Sequence, residues 1–234
     1  MPKVASSPTW YRRRSAVFAF IYAVGFLGGW GISFARHGRY VAAFANLGSH
    51  WGNRGIATAA AIASLCMLGA FALRVWGSSY LSAQTVWDEH AHTDALIVAG
   101  PFRYVRHPLY LGNIILGIGL GAGAPLFGWI FIVLADAAFV GALVRYEEAG
   151  LERRHRQAFD EYRAAVPSLL PRLAPVPAQQ TVRPSFAQGL RAESFTGFIL
   201  LGMVGLFSVP SYGWVVFLAC YLAGVIVQLR IERR

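Results

Sequence analysis

The residues best suited to chemistry stand in a basic, aromatic segment at 100–112, which reads Gly-Pro-Phe-Arg-Tyr-Val-Arg-His-Pro-Leu-Tyr-Leu-Gly and continues into an apolar stretch. Pro108 has no N–H and a fixed φ, so it suits the first turn of a helix and favours an extended His107. That helix would place its free N–H groups and positive dipole end beside Arg103, Arg106 and His107. Because all these groups attract negative charge, the segment predicts an anion site.

A second charged segment, at 145–171, carries the adjacent carboxylates Glu147 and Glu148. Its pattern predicts an amphipathic helix that leaves the membrane and ends at Val166-Pro167. The predicted apolar face consists of residues three and four apart, which are Leu151, His155, Ala158, Tyr162 and Val166. An interfacial helix held by arginines would show the same pattern without any catalytic role. The two carboxylates alone therefore do not decide the function.

Two other features invite a metal or nucleotide interpretation that their spacing argues against. His90 and His92 lie beside carboxylates, but residues two apart share a face only in a strand, and the sequence offers no third ligand. We therefore predict a solvated loop there and no metal site. Residues 117–122 match the loose dinucleotide pattern G-x-G-x-x-A, which has meaning only between a strand and a helix. In an apolar stretch, Gly117 and Gly121 instead predict close helix packing.

The composition is too apolar for a soluble domain, with 56% hydrophobic and 14% charged residues among 234. We predict an all-α integral membrane protein with about six transmembrane helices and a cytosolic amphipathic helix. The predicted spans are the apolar segments 16–34, 55–73, 108–124, 126–144, 195–209 and 212–229. The first span contains small residues that predict close packing, which are Gly25, Gly28, Gly29 and Gly31. Cys66 and Cys220 both fall inside spans, which favours buried thiols over a disulfide or a metal site.

The formal net charge of +10 reflects topology rather than nucleic-acid binding. With six spans and both termini on one side, only Arg36, Arg39 and Arg54 of the 21 basic residues fall on the opposite side. The positive-inside rule then predicts that both termini are cytoplasmic and that the basic residues contact anionic head groups. Lys3 is the only lysine, and this bias toward arginine is typical of GC-rich bacterial genomes. We therefore expect a bacterial inner membrane.

One carboxyl group lies where a bilayer makes it costly. Asp136 falls inside the fourth predicted span, where it requires a partner, and Asn113 of the preceding span is a candidate for that partner. A functional role and a structural role for Asp136 are equally open. The final apolar hairpin has no charged residue between Glu193 and Arg230, so we predict that it serves packing.

Two segments together resemble the integral-membrane methyltransferases of the isoprenylcysteine carboxyl methyltransferase and phospholipid methyltransferase superfamily. Residues 100–112 match the family pattern G-x-Y-x-x-x-R-H-P-x-Y-x-G, with Phe102 in place of tyrosine. The second segment matches E-E-x-x-L…Y-x-x-x-V-P through Glu147-Glu148, Leu151, Tyr162 and Val166-Pro167. Either pattern alone is weak, but both in this order around a helical hairpin are fairly specific.

The resemblance covers residues 84–172 and departs from the family at two places. His155-Arg156 and Phe159 stand where the family usually has Phe-Gly and Tyr. The family core usually ends near Val166-Pro167, so the final hairpin is an addition. The predicted organisation is a two-span region at 1–83, a methyltransferase-like core at 84–172, a linker at 173–192 and a two-span hairpin at 193–234.

The resemblance implies S-adenosylmethionine as cofactor and a lipid-like acceptor, such as an isoprenyl-cysteine carboxylate, an amino-phospholipid head group or a small thiol. The basic helix start suits the cofactor carboxylate, and a Glu suits its ammonium or ribose hydroxyls. Neighbouring helical residues diverge by about 100°, so one Glu is expected to face the ligand, and Glu148 is slightly favoured. The predicted catalytic residues are Arg106 and Glu148. The predicted cofactor-binding residues are Gly100, Arg103, Tyr104, His107, Pro108, Tyr110, Glu147 and Glu148.

Two alternatives to a methyltransferase stay open from the sequence. A related fold serves sterol reductases, so a nicotinamide-dependent membrane reductase is the second enzyme hypothesis. A non-enzymatic transporter or structural subunit is the third, with Asp136 and Asn113 lining a polar path. Transporters often show internal repeats with interrupted helices, and the sequence has no such repeat. The sequence does not indicate an oligomeric state.

Overall fold

A computed structural model describes residues 7–81, 96–178, 183–208 and 212–232, and within these ranges the chain is helical with no strand. The helices are α1 Thr9–Arg12, α2 Arg14–His37, α3 Ala43–Gly48, α4 Gly52–Ser78, α5 Pro108–Gly121, α6 Leu126–Ala165, α7 Phe186–Ala192, α8 Ser194–Ser208 and α9 Gly213–Glu232. Single 3-10 turns occur at Ser49–Trp51 and Gly100–Arg103. The predicted all-α class is confirmed for these residues, whereas His90 and His92 lie outside them.

Each of the six predicted apolar segments overlaps a helix in the described part of the chain. Fewer than six of these helices meet the requirements of a membrane span. Three stretches are long and apolar enough, namely Arg14–Arg36, Ala43–Ser78 and Leu126–Ala165. Helices α7 and α8 together make a fourth candidate, although they are bent by 66° at their junction. Helix α5 has 14 residues, about 21 Å of helix against a hydrocarbon core of about 30 Å. The described part of the chain therefore has three or four candidate spans, and the predicted six are not confirmed.

Helices α2 and α6 cross at glycines, as predicted for the first span. A Cβ atom on Gly25 would lie 2.9 Å from the Gly128 carbonyl oxygen, and one on Gly29 would lie 3.1 Å from the Gly128 Cα. A Cβ on Gly28 or Gly31 would meet no atom within 4 Å. Two of the four glycines therefore allow the close approach, because only one side of α2 faces α6.

Helix α5, which begins at the basic segment, lies between α4 and α6. A Cβ atom on Gly119 would come within 2.7 Å of the Ala63 carbonyl oxygen in α4. On the side facing α6, Cβ atoms on Gly117 and Gly121 would lie 2.7 Å from Asp136 Oδ2 and from Trp129 Cδ1 respectively. Small residues on both sides thus fix the position of α5 between its neighbours.

Helix α6 continues past its apolar part and ends at Ala165, where the sequence predicted an end. Val166 is extended, with φ −122° and ψ 125°, because Pro167 disfavours helical backbone in the residue before it. The first 19 or so residues of α6 suffice to cross a bilayer core, so the charged remainder from Arg145 lies beyond the span.

The amphipathic part of α6 buries a face that differs at one position from the predicted one. Phe159, Tyr162 and Val166 pack with Val98 in a buried cluster. Ala158, which the spacing placed on this face, is exposed. The backbone is interrupted at Arg156, with φ 37° and ψ −111°. The larger apolar side chain is the one buried, since Phe159 removes more apolar area from water than Ala158 would.

Asp136 and Asn113 are not partners, so that prediction is wrong. The Asn113 Oδ1 atom accepts a hydrogen bond from Arg74 Nη1, whereas Asp136 Oδ2 lies 3.4 Å from the Tyr22 hydroxyl that donates to it. Arg74 binds the Asn113 amide oxygen because a guanidinium group forms charge-assisted hydrogen bonds, which are stronger than those between neutral groups. The same guanidinium pairs with Glu193 at 2.7 Å and thereby joins α4 to the chain at the start of α8.

Candidate functional site

The basic segment begins in a 3-10 turn whose shape requires glycine at its first residue. Gly100 has φ +53°, and a Cβ atom there would lie 2.6 Å from Cζ of the Tyr80 ring. Both the left-handed backbone and the close ring exclude other residues. The turn is fixed from the other side by the Tyr162 hydroxyl, which donates to the Phe102 carbonyl oxygen at 2.7 Å. Gly100 therefore shapes this turn against Tyr80.

The segment is then joined to the chain that follows α6. The Arg106 N–H donates to the Pro167 carbonyl oxygen at 2.9 Å, and the His107 N–H donates to the Ser168 carbonyl oxygen at 3.1 Å. His107 is non-helical, with φ −123° and ψ 65°, and Pro108 is the first residue of α5 as predicted. These bonds bring the two sequence motifs to the same end of α5.

Arg106 and Glu148 form a largely buried ion pair between the motifs. The Arg106 Nε and Nη2 atoms donate to Glu148 Oε1 at 2.9 and 2.8 Å. The remaining Nη1 atom donates to the carbonyl oxygens of Val166 and Arg163. The guanidinium thus holds the carboxylate and also covers the last, otherwise unpaired carbonyls of α6.

His107 lies between the two carboxylates. Its Nε2 atom donates to Glu148 Oε1 at 3.0 Å, and its Nδ1 atom lies 3.7 Å from Glu147 Oε2. The imidazole is also stacked on the Tyr110 ring, with 5.9 Å between ring centroids. Burial alone would raise the pKa of Glu148, but the hydrogen bonds and charges of His107 and Arg106 outweigh it and lower the pKa to about 2. Glu148 is therefore ionised at neutral pH.

Glu147 is held by two tyrosine hydroxyls. Tyr110 of α5 and Tyr11 of α1 each donate to Glu147 Oε1 at 2.5 Å. Tyr11 is a site residue that sequence reasoning missed, because nothing distinguishes it within residues 1–15, the basic N-terminal arm. Ser168, whose hydroxyl lies 3.5 Å from Glu148 Oε1, was missed as well, although it directly follows the Val-Pro pattern.

The two carboxylates share one feature of their hydrogen bonding. The hydrogen bonds described above reach Oε1 of Glu147 and Oε1 of Glu148. Glu147 is buried and Glu148 is half-buried. The Oε2 atom of each carboxylate offers further lone pairs that can accept a hydrogen bond from a ligand.

Three of the predicted binding residues lie outside this cluster, in the turn that precedes it. The Arg103 Nε atom donates to the Val176 carbonyl oxygen at 2.6 Å, and the Tyr104 ring packs near Trp76 with centroids 5.9 Å apart. The structure thus gathers Arg106, His107, Tyr110, Glu147 and Glu148 at the start of α5. Gly100, Arg103 and Tyr104 form the turn that leads into the cluster.

The arrangement suits a small ligand that carries both charges. Arg106, His107 and the start of α5 offer positive charge and N–H donors, and the carboxylates offer negative charge within the same cluster. No group of three His, Cys, Asp or Glu side chains that could hold a metal ion occurs among the described residues. A zwitterion with additional hydroxyl groups therefore fits the chemistry of these side chains.

Comparison with known proteins gives a family and two distant relatives. Residues 58–158 match the family model for phospholipid methyltransferase. The nickel-cobalt-cadmium resistance protein NccN of Alcaligenes xylosoxydans xylosoxydans is 32% identical over 130 residues, which are 54% of this chain and 56% of that protein. The cobalt-zinc-cadmium resistance protein CzcN of Cupriavidus metallidurans is 31% identical over 102 residues, 43% of this chain and 44% of that protein. The chain spans about half the length of these curated relatives, and no solved structure matches it.

The family match contains most of the site. It begins within α4, includes the whole basic segment and α5, and ends within α6 beyond Glu147 and Glu148. Tyr11 and Ser168 lie outside it. Residues 58–158 therefore match the phospholipid methyltransferase family, and the resemblance to the isoprenylcysteine carboxyl and phospholipid methyltransferase superfamily is confirmed over these residues.

Proposed function

We propose that this protein is an S-adenosylmethionine-dependent methyltransferase that acts on a hydrophobic or membrane-associated acceptor. The observation that carries the proposal is the meeting of Arg106 and His107 with Glu147 and Glu148 at the start of α5, inside a phospholipid methyltransferase domain.

The side chains at this site match the polar groups of the cofactor. The start of α5 suits the cofactor carboxylate, with Arg103 in the preceding turn as a further cation. Among the described residues the Arg103 guanidinium donates only through Nε, so its Nη atoms have no partner there. A carboxylate Oε2 atom suits the ammonium or the ribose hydroxyls.

Glu147 is the better candidate for the ammonium or ribose contact. The charge of Glu148 is already compensated by Arg106 at 2.8 Å, whereas the hydrogen-bond donors on Glu147 Oε1 are the neutral hydroxyls of Tyr11 and Tyr110. A carboxylate oxygen that accepts from neutral hydroxyls attracts a ligand cation more strongly than one already paired with a guanidinium. Glu148 then acts by holding Arg106 and His107 in place.

The cofactor supplies a methyl group on a sulfonium, and methyl transfer to a nucleophile is an in-line displacement. The protein must therefore align the two reactants and exclude water. A carboxylate or thiolate acceptor needs no strong general base, which agrees with a cluster whose one imidazole is committed to Glu148. The acceptor would enter laterally from the membrane between helices. The relatives' names concern metal resistance and identify no acceptor, so the test begins with the cofactor.

We further propose that both termini and this site face the cytoplasm of a bacterium, at the inner membrane. The charge distribution supports this orientation. Few basic residues, namely Arg36, Arg39 and Arg54, lie where α2 ends and α4 begins, which is the side predicted to face away from the cytoplasm.

Calorimetric binding of S-adenosylmethionine to the detergent-purified protein tests the cofactor. We expect saturable binding by the wild type. Binding should weaken by about tenfold or more in His107→Ala, Glu147→Gln and Glu148→Gln, since each removes a hydrogen bond to a charged group. Glu152→Gln is the matched control, because Glu152 lies on the same helix with 52% of its side chain exposed.

Two results would contradict the proposal in different ways. Well-folded wild-type protein that binds no S-adenosylmethionine, with or without lipid, removes the methyltransferase assignment and directs the search to nicotinamide cofactors and then to transport. Binding that survives in all three variants moves the site elsewhere. Once binding is established, transfer of labelled methyl groups into membrane extracts identifies the acceptor.

A further inference from the structure

Tyr11 is a fully buried tyrosine in the short helix that precedes the first span. Its side chain is 0% exposed, although its neighbours Trp10 and Arg12 are exposed. Its hydroxyl reaches across 136 positions of sequence to donate to Glu147 Oε1 at 2.5 Å. A residue of the N-terminal arm thus contacts the candidate site directly.

The Tyr11 ring is held on several sides, so its hydroxyl is aimed rather than free to turn. The Tyr146 ring packs on it with centroids 4.7 Å apart, and the Trp10 ring does so edge-on at 6.0 Å. The Arg14 guanidinium lies over the ring at 4.8 Å. Burial, reinforced by Glu147, raises the pKa of Tyr11 above its ordinary value. The phenol therefore stays protonated and remains a donor across the physiological pH range.

Tyr11 and Tyr110 together fix the orientation of the Glu147 carboxylate. Both hydroxyls donate to the same oxygen, Oε1, from α1 and α5 respectively. Rotation of the carboxylate would break both bonds, so Oε2 stays on the side of His107, whose Nδ1 lies 3.7 Å away. An oxygen held in this way is pre-organised to accept a donor from a ligand.

We propose that Tyr11 is a positioning residue of the cofactor site, which holds Glu147 so that Oε2 faces the ammonium or ribose hydroxyls of S-adenosylmethionine. The inference rests on the proposed function. It also extends the site beyond the matched family domain, which begins at residue 58. The N-terminal arm then contributes to a site whose other residues lie mainly on α5 and α6.

The test compares Tyr11→Phe with Tyr146→Phe by calorimetry with S-adenosylmethionine. Both changes keep an aromatic ring in the same cluster, but only the first removes a donor to Glu147. We expect Tyr11→Phe to weaken binding about 5- to 10-fold, the effect of one lost hydrogen bond to a charged group. Tyr146→Phe should bind as the wild type does.

A double-mutant cycle separates positioning from a general structural role. Because Tyr11 acts through Glu147, Tyr11→Phe should cause little further loss of binding in a Glu147→Gln background. If Tyr11→Phe does not fold, p-aminophenylalanine at position 11 keeps the ring and an N–H donor and should bind close to the wild-type level.

The outcomes distinguish this inference from the proposed function. Wild-type protein that binds the cofactor while Tyr11→Phe binds equally well overturns the role of Tyr11 alone. Equal losses from Tyr11→Phe in the wild-type and Glu147→Gln backgrounds overturn it too, because Tyr11 would then not act through Glu147. A wild-type protein that binds no S-adenosylmethionine removes the proposed function and this inference together.

Discussion

At the scale of single residues, the adjacent carboxylates Glu147 and Glu148 are held by different chemistry. Glu148 has charged partners, and its pKa of about 2 lies below the ordinary 4.5. Because the folded-state value is the lower one, the ion pair with Arg106 stabilises the fold above about pH 4.5. That contribution is lost as the pH falls toward 2. Glu147 Oε1 instead accepts from the neutral hydroxyls of Tyr11 and Tyr110.

Arg156 illustrates a residue that carries backbone strain. It is the one non-glycine residue with positive φ in the described part of the chain, and it stands where the family usually has glycine. Arg156→Gly should raise the midpoint of thermal unfolding in detergent by about 2–4 °C, because glycine adopts this backbone with about 1 kcal/mol less strain.

Arg153→Gly is the control for that change. Arg153 is exposed and lies in regular helix, so glycine there should lower the midpoint by removing about 1 kcal/mol of helix stability. Equal decreases in both variants would mean that Arg156 does not occupy a left-handed backbone.

At the scale of helices, the packing of α2 on α6 depends on two backbones in close contact. A Cβ atom on Gly128 would collide with the Gly25 carbonyl oxygen, which is backbone and cannot move aside cheaply. Gly128→Ala should therefore destabilise the protein by about 1–3 kcal/mol, seen as a lower midpoint of thermal unfolding. Gly28→Ala, which meets no atom within 4 Å, should be neutral or stabilising by up to about 1 kcal/mol. A midpoint that falls equally in both would contradict the crossing described here.

The C-terminal hairpin is joined to the core by a charged contact as well as by apolar packing. Arg74 of α4 binds both oxygens of Glu193, at 2.7 and 3.1 Å, and Glu193 is 1% exposed. Arg74 also donates to the Leu109 carbonyl oxygen at 3.3 Å, in the first turn of α5. The hairpin is therefore linked through Arg74 to the helix that begins at the candidate site, beyond the packing role predicted for it.

Glu193→Leu should be strongly destabilising, by about 3–5 kcal/mol, because it leaves the Arg74 charge without its carboxylate partner. The double variant Arg74→Met/Glu193→Leu should recover most of that loss, since removing both charges abolishes the desolvation penalty. Thermal unfolding of the single and double variants measures the difference. A double variant as unstable as Glu193→Leu alone would show that apolar shape, not charge, decides this contact.

At the scale of the whole molecule, parts distant in sequence meet at the start of α5. The N-terminal arm supplies Tyr11, the second half of α6 supplies Glu147 and Glu148, and the chain that follows α6 supplies Ser168. The matched family domain contains only the two carboxylates of these four residues. Of the helices that carry the site, α6 includes a candidate span, and the apolar helix α5 has 14 residues.

The helices and the motif boundaries were predictable because they depend on near neighbours. Pro108 begins α5 and Pro167 ends α6, as their lack of an N–H and their effect on the preceding residue require. The number of spans was not predictable in the same way. A run of apolar residues does not reveal that α5 has only 14 residues or that α7 and α8 meet at 66°.

The sequence by itself determined an apolar, all-α protein with two motifs of known family and the charged groups that could bind a zwitterionic cofactor. Only the tertiary structure decided the partners. In the folded chain Asn113 accepts a hydrogen bond from Arg74 and is not the partner of Asp136, and Tyr11 donates to Glu147. The physical reason is range: caps, turns and helical faces are set within about four residues. Partners 39 or 136 positions apart are set by which helices pack together and at what height.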